Sequence, residues 1–469
     1  MLFKTLAFFS FLFVLLDNSI AATPIAIGAT DFVIVNEIKV IGNKNTREHI
    51  IVRELPFQLG DTIFVTDLTK TFERAHSNMF NTSLFNFITV EHAYFNDTYI
   101  SVIITVEERW YWWPLPIFEV QETNFNTWWQ TRNFDRANYG MFVVKENFRG
   151  RKERIAFKAQ AGYTEQVGFS YSIPYLNQKQ TQGLSISYSY SRNREVNYST
   201  LDNKRLFYKD ENRYLKKEIY TKATYEFRPK LYNNHSLQFS YTNLDVVDSV
   251  VFYNSDYLNN YQSNTEFLSF TYYLKRDKRN NKAYATRGYF YDFQFTQNGL
   301  GVFDKDVNNS FFAISYRKYL QLYPRVYLSG MVKGKTAINK QPFYFLGGLG
   351  YENSLVRGYE YYVVNGEHYG LFKTQLRYGL VENKIFKINM LPFDKFNKVP
   401  LSIYLGTYFD GGYVSENKTQ FPNFLNKEWL FGGGASIDLV SYYDIVFRFE
   451  YSLNNLNEQG LFIHFIAPL

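Results

Sequence analysis

The chain has 469 residues, a formal net charge of +7 and no cysteine, which excludes disulfides and thiolate metal sites. Aromatic residues form 20% of it, with 41 Tyr and 46 Phe, yet the mean hydropathy is −0.32. A soluble protein this rich in aromatic residues is seldom so polar, whereas membrane β-strands alternate lipid-facing and lumen-facing side chains. No concentrated basic stretch indicates a nucleic-acid partner.

The first 22 residues predict a secretory signal peptide. Lys4 supplies the positive charge, Leu6 to Leu16 form a short apolar core, and Ser19 to Ala22 supply small residues for cleavage. This core is shorter than the ~20 apolar residues with which a helix spans a bilayer. We therefore expect the mature chain to begin near Ala22 or Thr23; the alternative is an uncleaved anchor.

Residues 31–109 predict a small α+β domain. Phe32 to Ile41 is a β-rich run, and a later stripe of apolar residues has helical spacing. The runs Asn86 to Tyr94 and Thr98 to Val106 follow as two further strands. The predicted order is β-α-α-β-β, with a sheet of three strands. The helical stripe consists of Leu68, Phe72, Ala75 and Met79.

The sequence motifs of this segment resemble those of a POTRA domain, the polypeptide-transport-associated module. It carries Val40-x-Gly42-Asn43, Arg53-Glu54-Leu55, Gly60-Asp61, Asn81-Thr82-x-Leu84-Phe85 and Val106-Glu107-Glu108-Arg109. The resemblance implies that the domain handles unfolded client chains; an unrelated small α+β domain is the alternative. An exposed sheet edge can accept an extended peptide as an added strand. The resemblance implies that this edge is Asn86 to Tyr94 and that the client-pairing residues are Phe87, Ile88, Thr89, Val90 and Glu91.

Residues 110–469 predict an antiparallel transmembrane β-barrel, so that the whole fold is mainly β. Run after run alternates apolar and polar side chains; Leu184, Ile186, Tyr188 and Tyr190, for example, alternate with serines. Roughly 360 residues, at about 22 per strand and loop, give about sixteen strands. A soluble stack of β-sandwiches is the alternative.

One arginine in this region is a candidate functional residue. Arg357 lies in a long segment between strands, and a cation enclosed by a barrel needs a partner. In the strand from Leu401 to Asp410, Asp410 falls on the polar face and should point into the lumen. We also expect Tyr359 to pack beside the guanidinium of Arg357.

The same residues resemble the BamA/TamA superfamily of outer-membrane assembly proteins and translocators. Val356, Arg357, Gly358 and Tyr359 match its V-R-G-F/Y loop motif, and Phe409-Asp410-Gly411-Gly412 matches its acidic strand motif more loosely. The resemblance implies that the loop folds back into the barrel and that Arg357 meets Asp410. These five residues, Val356 to Tyr359 with Asp410, form the predicted loop latch, whose alternative is an ordinary solvated loop.

We predict that the protein is not an enzyme and has no cofactor, catalytic residue or metal site. Its six histidines are scattered, and neither H-E-x-x-H nor G-x-S-x-G occurs. The favoured function is an outer-membrane insertase that guides β-barrel clients through POTRA strand pairing and a lateral barrel seam. A translocation pore for a dedicated secreted substrate is the alternative, and a passive porin explains less.

The resemblance also implies partners and a location. The expected partners are unfolded outer-membrane or secreted polypeptides and outer-membrane lipids, with accessory lipoproteins as a further candidate and no nucleic acid. The expected location is the outer membrane, with the POTRA-like domain in the periplasm.

Overall fold

The structure, a computed structural model, describes residues 32–122, 124–303, 306–351, 354–387, 398–415, 421–441, 443 and 445–465. The predicted signal peptide lies outside these residues. Two parts follow one another along the chain, an N-terminal domain (residues 32–109) and a large antiparallel sheet.

The N-terminal domain packs two helices on a four-stranded sheet of order β2-β1-β4-β3. β1 and β4 run parallel in the middle, while β2 and β3 lie antiparallel at the two edges. The expected sheet of three strands was wrong, because the three residues of β2 are too few to show an alternating pattern. The elements are β1 (Phe32–Ile41), α1 (Glu48–Val52), β2 (Thr62–Phe64), α2 (Val65–Phe80), β3 (Phe85–Tyr94) and β4 (Tyr99–Glu108).

One apolar core holds this domain together. Val33 and Val35 of β1 and Ile100, Val102 and Ile104 of β4 are buried on a single face of the sheet. The stripe predicted on α2 packs there, with its Leu68, Ala75 and Met79 buried. Strand alternation and helical spacing thus direct both apolar faces into one interior.

The remaining chain forms strands almost throughout, with short helices between some of them. In chain order the elements are β5 (Trp112–Val120), α3 (Phe125–Thr131), β6 (Ala137–Phe148), β7 (Glu153–Gly162), β8 (Thr164–Ile173), β9 (Gln182–Asn193), β10 (Glu195–Leu201), β11 (Lys204–Lys209), β12 (Lys216–Phe227), β13 (Asn233–Val246), α4 (Asp248–Tyr253), β14 (Asn264–Asp277), β15 (Gly288–Asn298), β16 (Asn309–Tyr323), β17 (Val326–Ala337), β18 (Gly347–Leu349), β19 (Val364–Gly366), β20 (His368–Lys387), β21 (Lys398–Ser415), β22 (Trp429–Val440), β23 (Val446–Asn454) and β24 (Gln459–His464).

Sixteen of these strands form one antiparallel sheet, which confirms the predicted mainly β fold and strand number. Its order follows the chain from β5 to β24, because β10 with β11 and β18 with β19 pair as separate hairpins. Each connection is therefore local, as in a barrel built from successive hairpins.

The alternating burial of side chains along β23 shows which face of the sheet lines the polar lumen. Phe447, Phe449 and Tyr451 are exposed, whereas the alternating residues Arg448 and Glu450 are fully buried. This is the reverse of a soluble sheet and is typical of a strand that faces lipid on one side and a polar lumen on the other. Among the described residues, no helix combines the length and apolar character needed to cross a membrane.

The N-terminal domain is fastened to turns at one end of the large sheet. Both carboxylate oxygens of Glu54 accept hydrogen bonds at 2.7 Å from Arg228, which follows β12. Tyr175, after β8, donates to Glu54 at 3.0 Å, and Asn147 donates to Thr46 at 2.8 Å. Burial alone would raise the pKa of the Glu54 carboxyl, but the Arg228 guanidinium lowers it to about 2.

Candidate functional site

A long loop between β17 and β20 folds onto the inner face of the sheet. This inner loop (described at residues 338–351 and 354–367) carries the short β18–β19 hairpin and presents Val356 and Tyr359 to an apolar cluster with Leu371 and Leu430. The backbone at Gly358 has φ +95°, a conformation that side chains disfavour and glycine adopts freely. A Cβ on Gly412 would lie 2.8 Å from Val356 Cγ2, so the second glycine of the strand motif makes room for the loop.

Arg357 lies at the centre of this contact and is fully buried, as is Asp410. Arg357 Nη2 lies 2.6 Å from Asp410 Oδ1, and Nε lies 2.7 Å from Oδ2, which is a two-pronged pair. The Arg357 backbone N–H also donates to Asp410 Oδ2 at 3.2 Å. A planar guanidinium suits such a carboxylate better than an ammonium group does.

The aromatic neighbour of the guanidinium is Tyr408, whose ring centroid lies 3.7 Å from Arg357 Cζ. The expectation for Tyr359 was wrong. Its hydroxyl hydrogen-bonds the side chain of Asn455, and its ring joins the apolar cluster beneath the loop. Tyr408 shares the inward parity of Asp410 on β21, so strand parity could have identified it.

A second buried ion pair lies beside the pair of Arg357 and Asp410. Arg448 on β23 binds both oxygens of Asp438 on β22 at 2.7 Å. Glu450 stands between the two arginines, with Oε1 3.3 Å from Arg357 Nη1 and 3.6 Å from Arg448 Nη1. Buried charges at this density require mutual pairing, since an isolated one is very costly.

Three side chains that the sequence did not bring together meet next to this network. Glu360 comes from the inner loop, Glu450 from β23 and His464 from the last strand, β24. Among the described residues, these three side chains form the cluster whose residue types and spacing could hold a metal ion. The alternation of β23 placed Glu450 on the polar face, but the sequence carried no signal of its partners because they come from separate elements.

The residues expected to pair with a client strand lie on β3, at one edge of the N-terminal sheet. Within the described chain β3 pairs with β4 on one side and with no strand on the other. Ile88 is buried toward the domain core, while Thr89 and Glu91 are exposed. Nothing in this geometry brings β3 near the inner loop, so the two groups of predicted residues form separate sites.

The two end strands of the large sheet, β5 and β24, are not paired with each other through backbone hydrogen bonds among the described residues. The free edge of β24 is instead hydrogen-bonded to a side chain, that of Asn126 on α3. Asn126 Nδ2 donates to the carbonyl of Ile463 at 3.2 Å, and Asn126 Oδ1 accepts the N–H of Ile463 at 2.8 Å. Asn124 at the start of α3 donates to the carbonyl of Glu360 at 2.5 Å. Helix α3 therefore connects the free edge of β24 to the inner loop.

The fold and site together define a class: an outer-membrane-type β-barrel with a preceding POTRA domain and a loop docked in the lumen. Family models agree, because the Omp85 superfamily domain matches residues 147–455 and the POTRA model, described as surface antigen variable number repeat, matches residues 33–109. The chain belongs to the Omp85 superfamily, as its resemblance to the BamA/TamA superfamily predicted.

Solved structures with the same fold include BamA from Haemophilus ducreyi lacking POTRA domains 1–3, at TM-score 0.50 and 14% identity. That match covers 92% of this chain and 83% of the other. CdiB from Escherichia coli has TM-score 0.53 and 12% identity, over 92% and 75% of the two chains. No curated protein sequence matches significantly.

Membership carries a family-level role. Omp85 proteins assemble or translocate polypeptides at the outer membrane, and they handle unfolded outer-membrane or secreted chains. The POTRA match implies that the N-terminal domain is periplasmic. Omp85 family members act as transporters or assembly factors.

Proposed function

We propose that the protein is an outer-membrane insertase, which folds β-barrel clients at the seam between β5 and β24. The observation that carries this proposal is the unpaired seam. At Ile463 the free edge of β24 is satisfied by the amide of Asn126 and not by a strand, so its backbone groups can be exchanged for those of a client. Unpaired strand edges cannot rest in lipid, which gives the exchange its driving force.

The docked inner loop supports a lateral route over passage through the lumen. Arg357 contacts β20, β21 and β23, through Thr374, Asp410 and Glu450 respectively. A polypeptide that passed along the lumen at this level would have to displace several buried ion pairs at once. A client at the seam leaves them in place. In this role Val356 to Tyr359 with Asp410 act as the latch that keeps the loop inside.

The POTRA domain would present the client to the seam. Edge strand β3, through Phe87 to Glu91, offers backbone groups to an extended segment, and pairing of this kind tolerates many sequences. The rigid contact of Glu54 with Arg228 keeps the domain at one end of the barrel. The outward apolar faces of the strands would contact membrane lipids, and accessory lipoproteins stay a prediction.

Depletion of the protein, followed by profiling of the outer membrane, tests the proposal. We expect the abundance of many β-barrel proteins to fall together. Loss of one secreted protein alone would indicate a translocator, and a change in solute permeability alone would indicate a porin. Arg357→Ala and Asp410→Ala should each fail to complement the depleted strain although the barrel is still made.

A cross-link at the seam is the sharper experiment, because the natural chain has no cysteine. Cysteines at Asn126 and Ile463, joined by a short bismaleimide, should stop assembly of a reporter barrel in proteoliposomes. Cysteines at the paired positions Phe239 and Phe270, far along the sheet from the seam, provide the matched control. Equal assembly by both cross-linked proteins would contradict a lateral route.

A further inference from the structure

Three donor atoms converge on one point inside the barrel. Glu360 Oε1, Glu450 Oε2 and His464 Nε2 lie within 4.8 Å of one another. The imidazole Nε2 lies 3.0 Å from Glu450 Oε2 and 3.6 Å from Glu360 Oε1. Both glutamate side chains are fully buried, and that of His464 is 10% exposed.

None of these three atoms makes a hydrogen bond to the described residues. The 3.0 Å separation between His464 and Glu450 has the length of a hydrogen bond but not its direction. Buried carboxylate oxygens normally accept hydrogen bonds, because desolvation without compensation is costly. Both carboxylates therefore face the imidazole of His464, and these three atoms have no hydrogen bond to the described residues that meets the geometric criteria.

A metal ion accounts for this arrangement. Ligands at ~2.0–2.2 Å from one ion, at angles of about 90–110°, lie about 2.8–3.6 Å apart. Each then points at the ion and not at its neighbour, which gives short separations without hydrogen-bond direction. The separations of His464 from the two glutamates agree with that geometry.

We propose that Glu360, Glu450 and His464 bind a divalent first-row transition ion such as Zn²⁺. One imidazole nitrogen with two carboxylate oxygens suits Zn²⁺ or a similar ion, whereas Mg²⁺ and Ca²⁺ prefer oxygen ligands alone. None of the three ligands belongs to the predicted latch, although Glu450 also contacts Arg357 and Glu360 also accepts the Gly358 N–H. The site was not expected from the scattered histidines.

The nearby arginines do not prevent cation binding, because each has its own aspartate. Arg357 pairs with Asp410 at 2.6 Å, and Arg448 pairs with Asp438 at 2.7 Å. Glu450 turns Oε1 toward the arginines and Oε2 toward His464. Two glutamate charges therefore face the proposed ion.

The site joins the inner loop to the hairpin formed by β23 and β24, about a hundred residues later in the chain. A bound ion would hold the last strand to the docked loop, next to the seam. The inference goes beyond the proposed function, since a metal site of this kind is compatible with an insertase, a translocator or a porin.

Metal binding by the purified full-length protein tests the inference. After removal of metals with EDTA and incubation with Zn²⁺, we expect one tightly bound ion per chain and none with Mg²⁺. His464→Ala and Glu360→Gln should each lower the affinity at least about a hundredfold, beyond the 10–100-fold effect of losing an outer-shell partner. His368→Ala and Glu458→Gln, which alter side chains already hydrogen-bonded elsewhere, are matched controls that should bind as the parent does.

X-ray absorption at the zinc edge of the parent protein gives a second measurement that needs no variant. We expect one imidazole nitrogen and at least two oxygens around the ion. Absence of stoichiometric Zn²⁺ in the parent, or affinities equal in His464→Ala, Glu360→Gln and the controls, overturns the inference.

Discussion

Asp410→Ala is the substitution that tests the inner loop most directly. It removes the carboxylate that accepts three hydrogen bonds from Arg357 and leaves this guanidinium buried. Lys373 also loses a partner at 3.6 Å. Removing one member of a buried pair costs about 3–5 kcal/mol, because the other charge stays unpaired. Glu450 remains 3.3 Å from Arg357 and offsets part of this cost, so we expect about 3 kcal/mol.

Release of the loop can be measured by thiol labelling, since the natural chain has no cysteine. Leu355→Cys places one thiol beside the motif, at a position that is 4% exposed. If labelling requires release, a cost of about 3 kcal/mol speeds it by roughly two powers of ten. Arg357→Lys keeps the charge but loses the planar fork, so its acceleration should be smaller.

Thr407→Ala on the exposed face of β21 is the matched control, and its labelling rate should equal that of the parent. Heat-dependent migration on gels reports whether each variant still forms a folded barrel. If Asp410→Ala is folded and labels no faster than Thr407→Ala, the buried ion pair does not hold the loop. The reasoning from unpaired charge would then be refuted.

Three further results are expected. Glu54→Gln should loosen the POTRA domain, because Arg228 loses a carboxylate bound through both oxygens; faster hydrogen exchange in α1 with unchanged exchange in the barrel measures this. Acid should act on the same contact. Since the pKa of Glu54 falls from 4.5 to about 2 in the folded chain, its stabilisation is complete above about pH 4.5 and is lost as the pH falls toward 2. The acid dependence of proteolysis between the domains should therefore be weaker in Glu54→Gln, and equal profiles would contradict the assignment. Asn126→Ala should speed amide exchange at Ile463, because the N–H and the carbonyl of Ile463 both lose the Asn126 side chain as their hydrogen-bond partner. Asn124→Ala leaves Asn126 in place and serves as the comparison.

Most of the fold could be predicted because its signal is local. Alternation with a period of two residues identifies a half-buried strand from a few neighbours, and the polar turns between runs fix hairpin connections. The sixteen strands and the POTRA-like segment follow from that pattern. The short strand β2 (Thr62–Phe64) was missed for the same reason, since three residues carry too little of the pattern.

The residues of the site could be predicted only where the sequence of a single strand or motif was enough to place them. Parity places Asp410 inward from the residues of β21 alone, and the loop motif supplies Arg357. The meeting of Glu360, Glu450 and His464 depends on the path of the inner loop and on the registers of β23 and β24. The path of the inner loop is a long-range property, which side-chain periodicity does not encode.

The distribution of contacts indicates where the barrel opens. Arg357 is held by β20, β21 and β23, whereas the last strand contributes His464 alone to the buried charges described around it. Buried ion pairs of this kind specify one arrangement more than they stabilise it, so the loop should leave its site as a unit or not at all. β24 has only 6 residues and, among the described residues, the free edge at Ile463 is satisfied by one side chain, Asn126, so β24 can separate while the loop stays docked whenever no ion joins His464 to Glu360. We therefore expect the opening to be confined to β24. Asn126→Ala should then loosen the seam without releasing the loop, and Asp410→Ala should release the loop with the seam intact.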